Sequence, residues 1–191
     1  MHKGRLEAFS DGVFAIIITI MVLEMKVPHG EELRDLLPIW PVFLSYALSF
    51  VYVGIYWNNH HHLFQVVKHV TGRVLWTNLH LLFWLSLFPF VTGWMGENHF
   101  APATVALYGG VLIMAGLAYS LLVRALLACH DDHSTLKLAI GPDRKGIISV
   151  AIYAVGIPLA CWLPWVALAL YATVAGIWIV PDRRIERRLV E

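Results

Sequence analysis

Charged side chains are scarce in this chain of 191 residues. Only 14% of the residues are Asp, Glu, Lys or Arg, whereas a soluble domain has about 25%. Hydrophobic residues make up 59%. This balance excludes a disordered chain, a coiled coil and a nucleic-acid-binding domain, all of which need many more polar or charged groups. The composition is typical of an integral membrane protein.

Cysteines and catalytic motifs are also lacking. Two cysteines are too few for a disulfide framework. The chain has no Walker motif, nucleophile elbow, His-Glu-x-x-His or Cys-x-x-Cys. The net charge of +1 says little about partners. We therefore expect no enzyme, no cofactor and no nucleic-acid partner, and the sequence identifies no protein partner.

Long charge-free runs predict the membrane helices. Residues 36–67, 74–96, 98–123 and 146–181 contain no Asp, Glu, Lys or Arg, and a membrane-spanning helix needs about 20 apolar residues. Pro158 and Pro164 divide the last run into two short helices. With a first helix that includes Asp11, the prediction is one all-α membrane domain of six spans. We place them near 6–27, 38–64, 74–95, 102–126, 144–162 and 165–180.

The distribution of basic residues favours an even number of spans. Six spans place 12 of the 14 Lys and Arg residues on one side, and only Lys26 and Arg34 on the other. Basic residues collect on the cytoplasmic side of membrane proteins. Both termini are therefore expected to be cytoplasmic.

Asp11 is a carboxylate near the start of the first predicted helix. It is interpreted in three ways: as a cap for that helix, as part of a structural polar network, or as an ion or proton site. Intramembrane charges usually face protein or water, and a structural network is the interpretation we favour.

An apolar stripe follows on the same helix. Ile16, Ile20 and Leu23 recur at helical spacing, with Thr19 beside them. Periodicity alone is typical of ordinary packing or lipid contact. At about 100° per residue, Asp11 points about 140° away from Ile16, so the two side chains should have different surroundings.

Three consecutive histidines end the second predicted helix. His60, His61 and His62 point about 100° apart on a helix, so they cannot converge on one metal ion without other ligands. Hydrogen bonding is favoured instead, with Asn78 or His80 as candidate partners. The segment 130–133, His-Asp-Asp-His, is a second metal candidate but is more typical of a solvated loop.

Residues 5–15 contain the pattern Arg-x-x-x-Phe-Ser-Asp-x-x-x-Ala. This pattern resembles the signature of the transmembrane protein 175 family. Its animal members are endolysosomal potassium channels, and bacteria have single-repeat homologues. The segment Trp57-x-x-His60-His61-x-x-Phe64 and Asn78 with Pro89-Phe90 are similar to that family as well. The resemblance covers essentially the whole chain.

The resemblance implies a homotetramer in a lipid bilayer, with the first helix of each subunit lining a central pore. It identifies Ile16, Ile20 and Leu23 as apolar constrictions and Thr19 as a polar layer that transiently holds K⁺. The carbonyl-lined Thr-Val-Gly-Tyr-Gly loop of common potassium channels is absent. The expected function is a potassium-selective channel of a bacterial inner membrane.

The same resemblance implies a structural network that holds the first helix against the second and third. Its members are Arg5, Phe9, Ser10, Asp11, Trp57, His61 and Asn78. Glu24, Glu31, Glu32 and Asp35 are expected to concentrate cations at the outer mouth.

Two other functions stay open at this point. A proton- or cation-coupled secondary transporter would use Asp11 and the histidines as a relay, although no inverted repeat is evident. A redox or structural membrane subunit would use the histidines as ligands.

Overall fold

The computed structural model describes residues 3–65, 67, 69–129 and 144–179. The candidate metal segment 130–133 and the arginine-rich C-terminal segment lie outside these ranges. The described residues form α-helices and one 3₁₀ helix and contain no β-strand, which confirms the all-α prediction. The elements are α1 (Lys3–Leu23), a 3₁₀ helix (Leu33–Ile39), α2 (Trp40–Gln65), α3 (Gly72–Ser86), α4 (Phe88–Glu97), α5 (Pro102–Leu127), α6 (Arg144–Ala160) and α7 (Pro164–Ile179).

Within the described ranges, four helical segments are long and apolar enough to cross a membrane. They are α1, the 3₁₀ helix with α2, α3 with α4, and α5. The last two helices are shorter, 17 residues in α6 and 16 in α7. The break between them falls just before Pro164, a residue that favours the first turn of a helix.

The third membrane segment is interrupted where the sequence predicted one helix over 74–95. α3 ends at Ser86, and α4 begins at Phe88 after a single linking residue, Leu87. Pro89 lies in the first turn of α4. A proline has no N–H to donate to the carbonyl four residues earlier, and its ring crowds that carbonyl. The interruption therefore has a local cause in Pro89.

The first helix also differs from its predicted range of 6–27. It begins earlier, at Lys3, and ends at Leu23, so Glu24 and Lys26 lie in the connection to the 3₁₀ helix. Glu24 and Lys26 are thereby kept out of the apolar second half of α1.

Consecutive passes run in opposite directions. At one end of the bundle, Lys3 Nζ at the start of α1 donates to the Gln65 carbonyl at the end of α2, at 3.4 Å. At the other end, Lys26 after α1 forms an ion pair with Glu97 at the end of α4, at 2.8 Å. Lys145 Nζ at the start of α6 donates to the Ile177 carbonyl near the end of α7.

Several polar groups in the interior are paired with one another, although the Tyr171 hydroxyl and His62 Nδ1 are buried without a hydrogen-bond partner among the described residues. The Ser49 hydroxyl lies 2.6 Å from the Thr92 hydroxyl and 3.0 Å from the Tyr108 hydroxyl. Since no water is available in a bilayer core, such pairing removes a cost of several kcal/mol per group. Close helix packing occurs at Gly109, where a Cβ atom would overlap the Tyr171 hydroxyl.

Candidate pore-lining face and its supporting network

The first helix has one face inside the subunit and one outside it. Its buried residues are Leu6, Ser10, Phe14, Ile17 and Met21. Ile16, Ile20 and Leu23 are instead 59%, 42% and 75% exposed, and Thr19 is exposed beside them. The predicted stripe therefore points away from the core of its own subunit.

The exposed side of α1 changes in character along the helix. Its first half presents small residues beside Arg5, Phe9 and Asp11, and its second half presents branched apolar residues. We call the small and branched residues together with Thr19 the outward face of α1: Gly4, Ala8, Gly12, Ala15, Ile16, Thr19, Ile20 and Leu23. A Cβ added at Gly4 or Gly12 would meet nothing within 4 Å.

Thr19 presents an oxygen on the outward face. Its hydroxyl donates to the Ala15 carbonyl one turn earlier, at 2.9 Å. A hydroxyl has one proton and two acceptor lone pairs. Because the proton is used within the helix, the oxygen lone pairs remain available to a cation.

Asn78 joins three helices in the interior. Its side chain is buried, at 2% exposure. Its Nδ2 donates to Ser10 Oγ on α1 at 3.0 Å, and its Oδ1 lies 2.9 Å from His60 Nε2 on α2. Ser10 in turn donates to the Leu6 carbonyl. The three polar side chains form a connected and satisfied network, which orients α1 against α2 and α3.

The histidine in contact with Asn78 is His60, whereas the implied network named His61. The His60 ring packs edge-on against Phe14, with 5.8 Å between centroids, and stacks on Phe64 at 4.5 Å. His61 lies on the surface, stacked on Trp57 at 5.9 Å and bonded to Gln65. The signal for His60 was present in the sequence, since it belongs to the same motif.

Asp11 is held by a tryptophan on α2. Trp57 Nε1 donates to Asp11 Oδ1 at 3.0 Å. Asp11 lies in the third turn of α1, because the helix begins at Lys3. The interpretation of Asp11 as a helix cap is therefore wrong.

Arg5 and Phe9 point outward. Phe9 is 56% exposed, and Arg5 is exposed as well. Arg5 forms no hydrogen bond or ion pair with any other described residue, whereas Lys3 and Glu7 approach to 4.0 Å on the same turn. The structure thus pairs Ser10 with Asn78 and Asp11 with Trp57. It leaves Arg5 and Phe9 exposed, where they can contact another molecule.

The described residues assemble no group of three His, Cys, Asp or Glu side chains that could hold a metal ion. His80, a candidate partner of the histidine run, accepts a hydrogen bond from Trp84 Nε1 on its own helix, at 3.0 Å.

The end of α1 at Leu23 is acidic. Glu24 follows Leu23 directly, and partial burial raises the pKa of its carboxyl group, with the Glu97 charge adding to the shift. Lys26 bonds Glu97, and this hydrogen bond raises the pKa of Lys26. Two of the other acidic residues that were expected to attract cations already have partners. Glu32 forms an ion pair with Arg34, and Asp35 accepts a hydrogen bond from the Glu32 N–H.

Comparison with known proteins gives a consistent result. A family profile described as the endosomal/lysosomal potassium channel TMEM175 matches residues 5–89. A potassium channel of Chryseobacterium sp. (strain P1-3) is 56% identical over 191 residues, covering 100% of both chains. A potassium channel of Streptomyces collinus is 31% identical over 185 residues, covering 92% of this chain and 89% of that protein.

The fold agrees with a solved structure of the same family. The crystal structure of a lysosomal potassium-selective channel TMEM175 homologue from Chamaesiphon minutus aligns with a TM-score of 0.80 and 28% identity. The alignment covers 94% of this chain and 97% of that chain. On this sequence and structural similarity, the chain belongs to the TMEM175 family of potassium channels.

Proposed function

We propose that this protein is a potassium-selective channel in which four copies surround one axis with the outward faces of α1. It is an integral membrane channel and not an enzyme, as its family membership implies. The observation that supports the proposal most is the exposure of Ile16, Ile20 and Leu23 together with Thr19 on one side of α1. A single subunit offers only one such face and cannot enclose a conduit with it.

The polar residues on the exposed side of α1 favour a pore over lipid. Thr19 presents an oxygen, and Asp11 is exposed on the same helix. A charged side chain inside a membrane nearly always faces protein or a water-filled cavity, because hydrocarbon offers it no hydration. In the proposed tetramer, neighbouring subunits supply contact with protein, and the water along the axis supplies a water-filled cavity.

The proposed selectivity follows from dehydration. An apolar ring of Ile16 side chains closes by excluding water and opens to pass a partly dehydrated ion. Potassium is less strongly hydrated than sodium, so it loses water at a lower cost. Four Thr19 oxygens replace part of the lost hydration. Because this arrangement is not a full oxygen cage, we expect moderate selectivity over sodium.

The orientation in the membrane follows from charge. Among the described residues, Lys3, Arg5, Arg73, Arg124, Arg144 and Lys145 lie at one end of the bundle, and Lys26 and Arg34 at the other. The positive-inside rule supports an inner-membrane protein with its basic end in the cytoplasm.

Planar-bilayer recording of the purified protein tests the proposed function. The human relative carries the name endosomal/lysosomal proton channel and is 37% identical over 83 residues, 16% of its length. Reversal potentials are therefore measured in a potassium–sodium gradient at equal pH and in a pH gradient at equal potassium. We expect a shift toward the potassium equilibrium potential in the first gradient. A saturable, stoichiometric flux without unitary currents would support the transporter instead.

The tetramer is tested by native mass spectrometry. Purified protein in mild detergent should give a mass of four chains, because one pore helix per subunit must be repeated around the axis. Conduction by a monodisperse monomer would contradict the central pore.

Thr19→Val is expected to reduce the potassium preference several-fold and to leave assembly intact. The substitution keeps the side-chain volume and removes four oxygen ligands. The reversal potential in a potassium–sodium gradient is the measurement.

Thr173→Val is the matched control for Thr19→Val. Thr173 is exposed on α7 and donates to the Ala169 carbonyl at 2.8 Å, as Thr19 does to Ala15. An equal effect of the two substitutions would exclude Thr19 as an ion ligand.

A further inference from the structure

A narrow crevice lies inside the subunit, away from the outward face of α1. Its walls are α2, α5, α6 and the end of α7, and its volume is about 60 Å³. α2 packs on α1, α4 and α7, whereas α6 packs on α5 and α7, so a wedge remains between α2 and α6. We call this space the tyrosine crevice. Its lining includes Tyr52, Tyr56, Tyr119, Ser149, Tyr153 and Trp178.

Most polar groups of the tyrosine crevice already have partners. The Trp178 ring N–H donates to Ser149 Oγ at 2.9 Å, the Tyr153 hydroxyl to the Tyr52 hydroxyl at 3.1 Å, and the Tyr119 hydroxyl to the Asn59 carbonyl at 3.3 Å. Ser120 donates to the Gly116 carbonyl at 3.1 Å. These bonds leave the crevice with an apolar surface and few unused donors.

The exception is Tyr56. Its hydroxyl has no hydrogen-bond partner among the described residues, and it lies 3.7 Å from the position that a Cβ of Gly116 would take. Gly116 therefore leaves room at the tip of the tyrosine. A phenolic hydroxyl within the membrane region that bonds nothing is costly, since the bilayer core supplies no water.

The occupant must satisfy one hydroxyl and otherwise be apolar. The lining is mostly apolar, so water that filled the crevice would reach Tyr56 only by contacting a large apolar surface, which is unfavourable. A hydrocarbon chain leaves the hydroxyl unpaired. We propose that the tyrosine crevice binds the oxygen-bearing end of a small membrane-dissolved amphiphile, such as an aliphatic alcohol, whose oxygen bonds Tyr56. The crevice is partly open, so the rest of the alkyl chain can extend out of it.

The position of the crevice connects it to the pore helix. Tyr56 and Asn59 line it, and each is followed directly in α2 by a residue that holds α1. Trp57 bonds Asp11, and His60 bonds Asn78, which bonds Ser10. A ligand that shifts α2 therefore moves the contacts that orient α1. This modulatory consequence rests on the proposed function, whereas the binding itself does not.

Photolabelling with a diazirine-bearing octanol tests the binding. The purified full-length oligomer in lipid nanodiscs is labelled, and adducts are located by peptide mass spectrometry. We expect saturable adducts within residues 55–59 and 146–153, reduced by excess 1-octanol and not by n-octane. Tyr56→Phe should lower these adducts about fivefold, the effect of one neutral hydrogen bond.

Tyr46→Phe is the control for loss of a hydroxyl from α2. Tyr46 packs between Phe43 and Phe50, outside the crevice. The Tyr46→Phe protein should therefore be labelled as much as the unsubstituted protein. Gly116→Val is a second variant that fills the space beside Tyr56 and should abolish the adducts.

Several results would overturn the proposal. They are equal labelling of the Tyr56→Phe and unsubstituted proteins, adducts spread over the lipid-facing helices, or adducts that 1-octanol does not reduce. Because adducts are counted by mass, the outcome is independent of whether the protein conducts.

Discussion

Ile16→Asn is expected to raise unitary conductance and to lower the potassium preference several-fold. An amide in each subunit would hydrate the apolar ring, so ions would pass with more of their water and hydrated sodium would be excluded less well. The measurement is single-channel conductance together with the reversal potential in a potassium–sodium gradient.

Ile17→Asn is the control on the neighbouring residue. Ile17 is 3% exposed and packs inside the subunit, whereas Ile16 is 59% exposed. An unpaired amide there costs about 1–3 kcal/mol, so the expected result is a lower yield of folded protein without a change in selectivity. If Ile16→Asn left permeation unchanged, the outward face of α1 would not line the pore at this level.

Asn78→Ala is expected to cause the largest loss of stability. The substitution removes the donor to Ser10 on α1, which keeps its bond to the Leu6 carbonyl, and the partner of His60 Nε2 on α2. Each buried polar group that loses its partner costs about 1–3 kcal/mol. We expect a lower thermal midpoint and less assembled oligomer, measured by thermal unfolding and native mass spectrometry.

Asn98→Ala provides the comparison for Asn78→Ala. Asn98 is exposed after α4, and its Nδ2 donates to the Trp94 carbonyl on the preceding turn at 2.8 Å. This hydrogen bond joins no two helices, so its loss should change stability little. A thermal midpoint for Asn78→Ala equal to that of Asn98→Ala would mean that the Asn78 junction does not hold α1 in place.

The membrane architecture was predictable from the amino-acid sequence because the bilayer imposes a length and a polarity on each helix. The charge-free runs indicated the helices, and the basic residues indicated which ends lie together. Pro164 marked the start of α7 because a proline favours the first helical turn. The Phe-Ser-Asp motif indicated the family, since it combines several residue types at fixed spacing.

Other features depended on how the helices pack. The sequence contained Pro89 but the break before α4 was missed, because a proline in a membrane helix either kinks or ends it according to its neighbours. Adjacent histidines differ by about 100° on a helix, and the position of Phe14 and Asn78 on neighbouring helices places His60 inside and His61 outside.

The exposed stripe on α1 was also predictable only in part from the sequence. Spacing identified Ile16, Ile20 and Leu23 as one side of a helix, but periodicity is equal for a face against protein, lipid or water. The burial of Ile17 and Met21 against the subunit core leaves that side outward. The tyrosine crevice had no counterpart in the sequence analysis, because a space between helices depends on the distances and angles at which they meet rather than on the residues of any one helix.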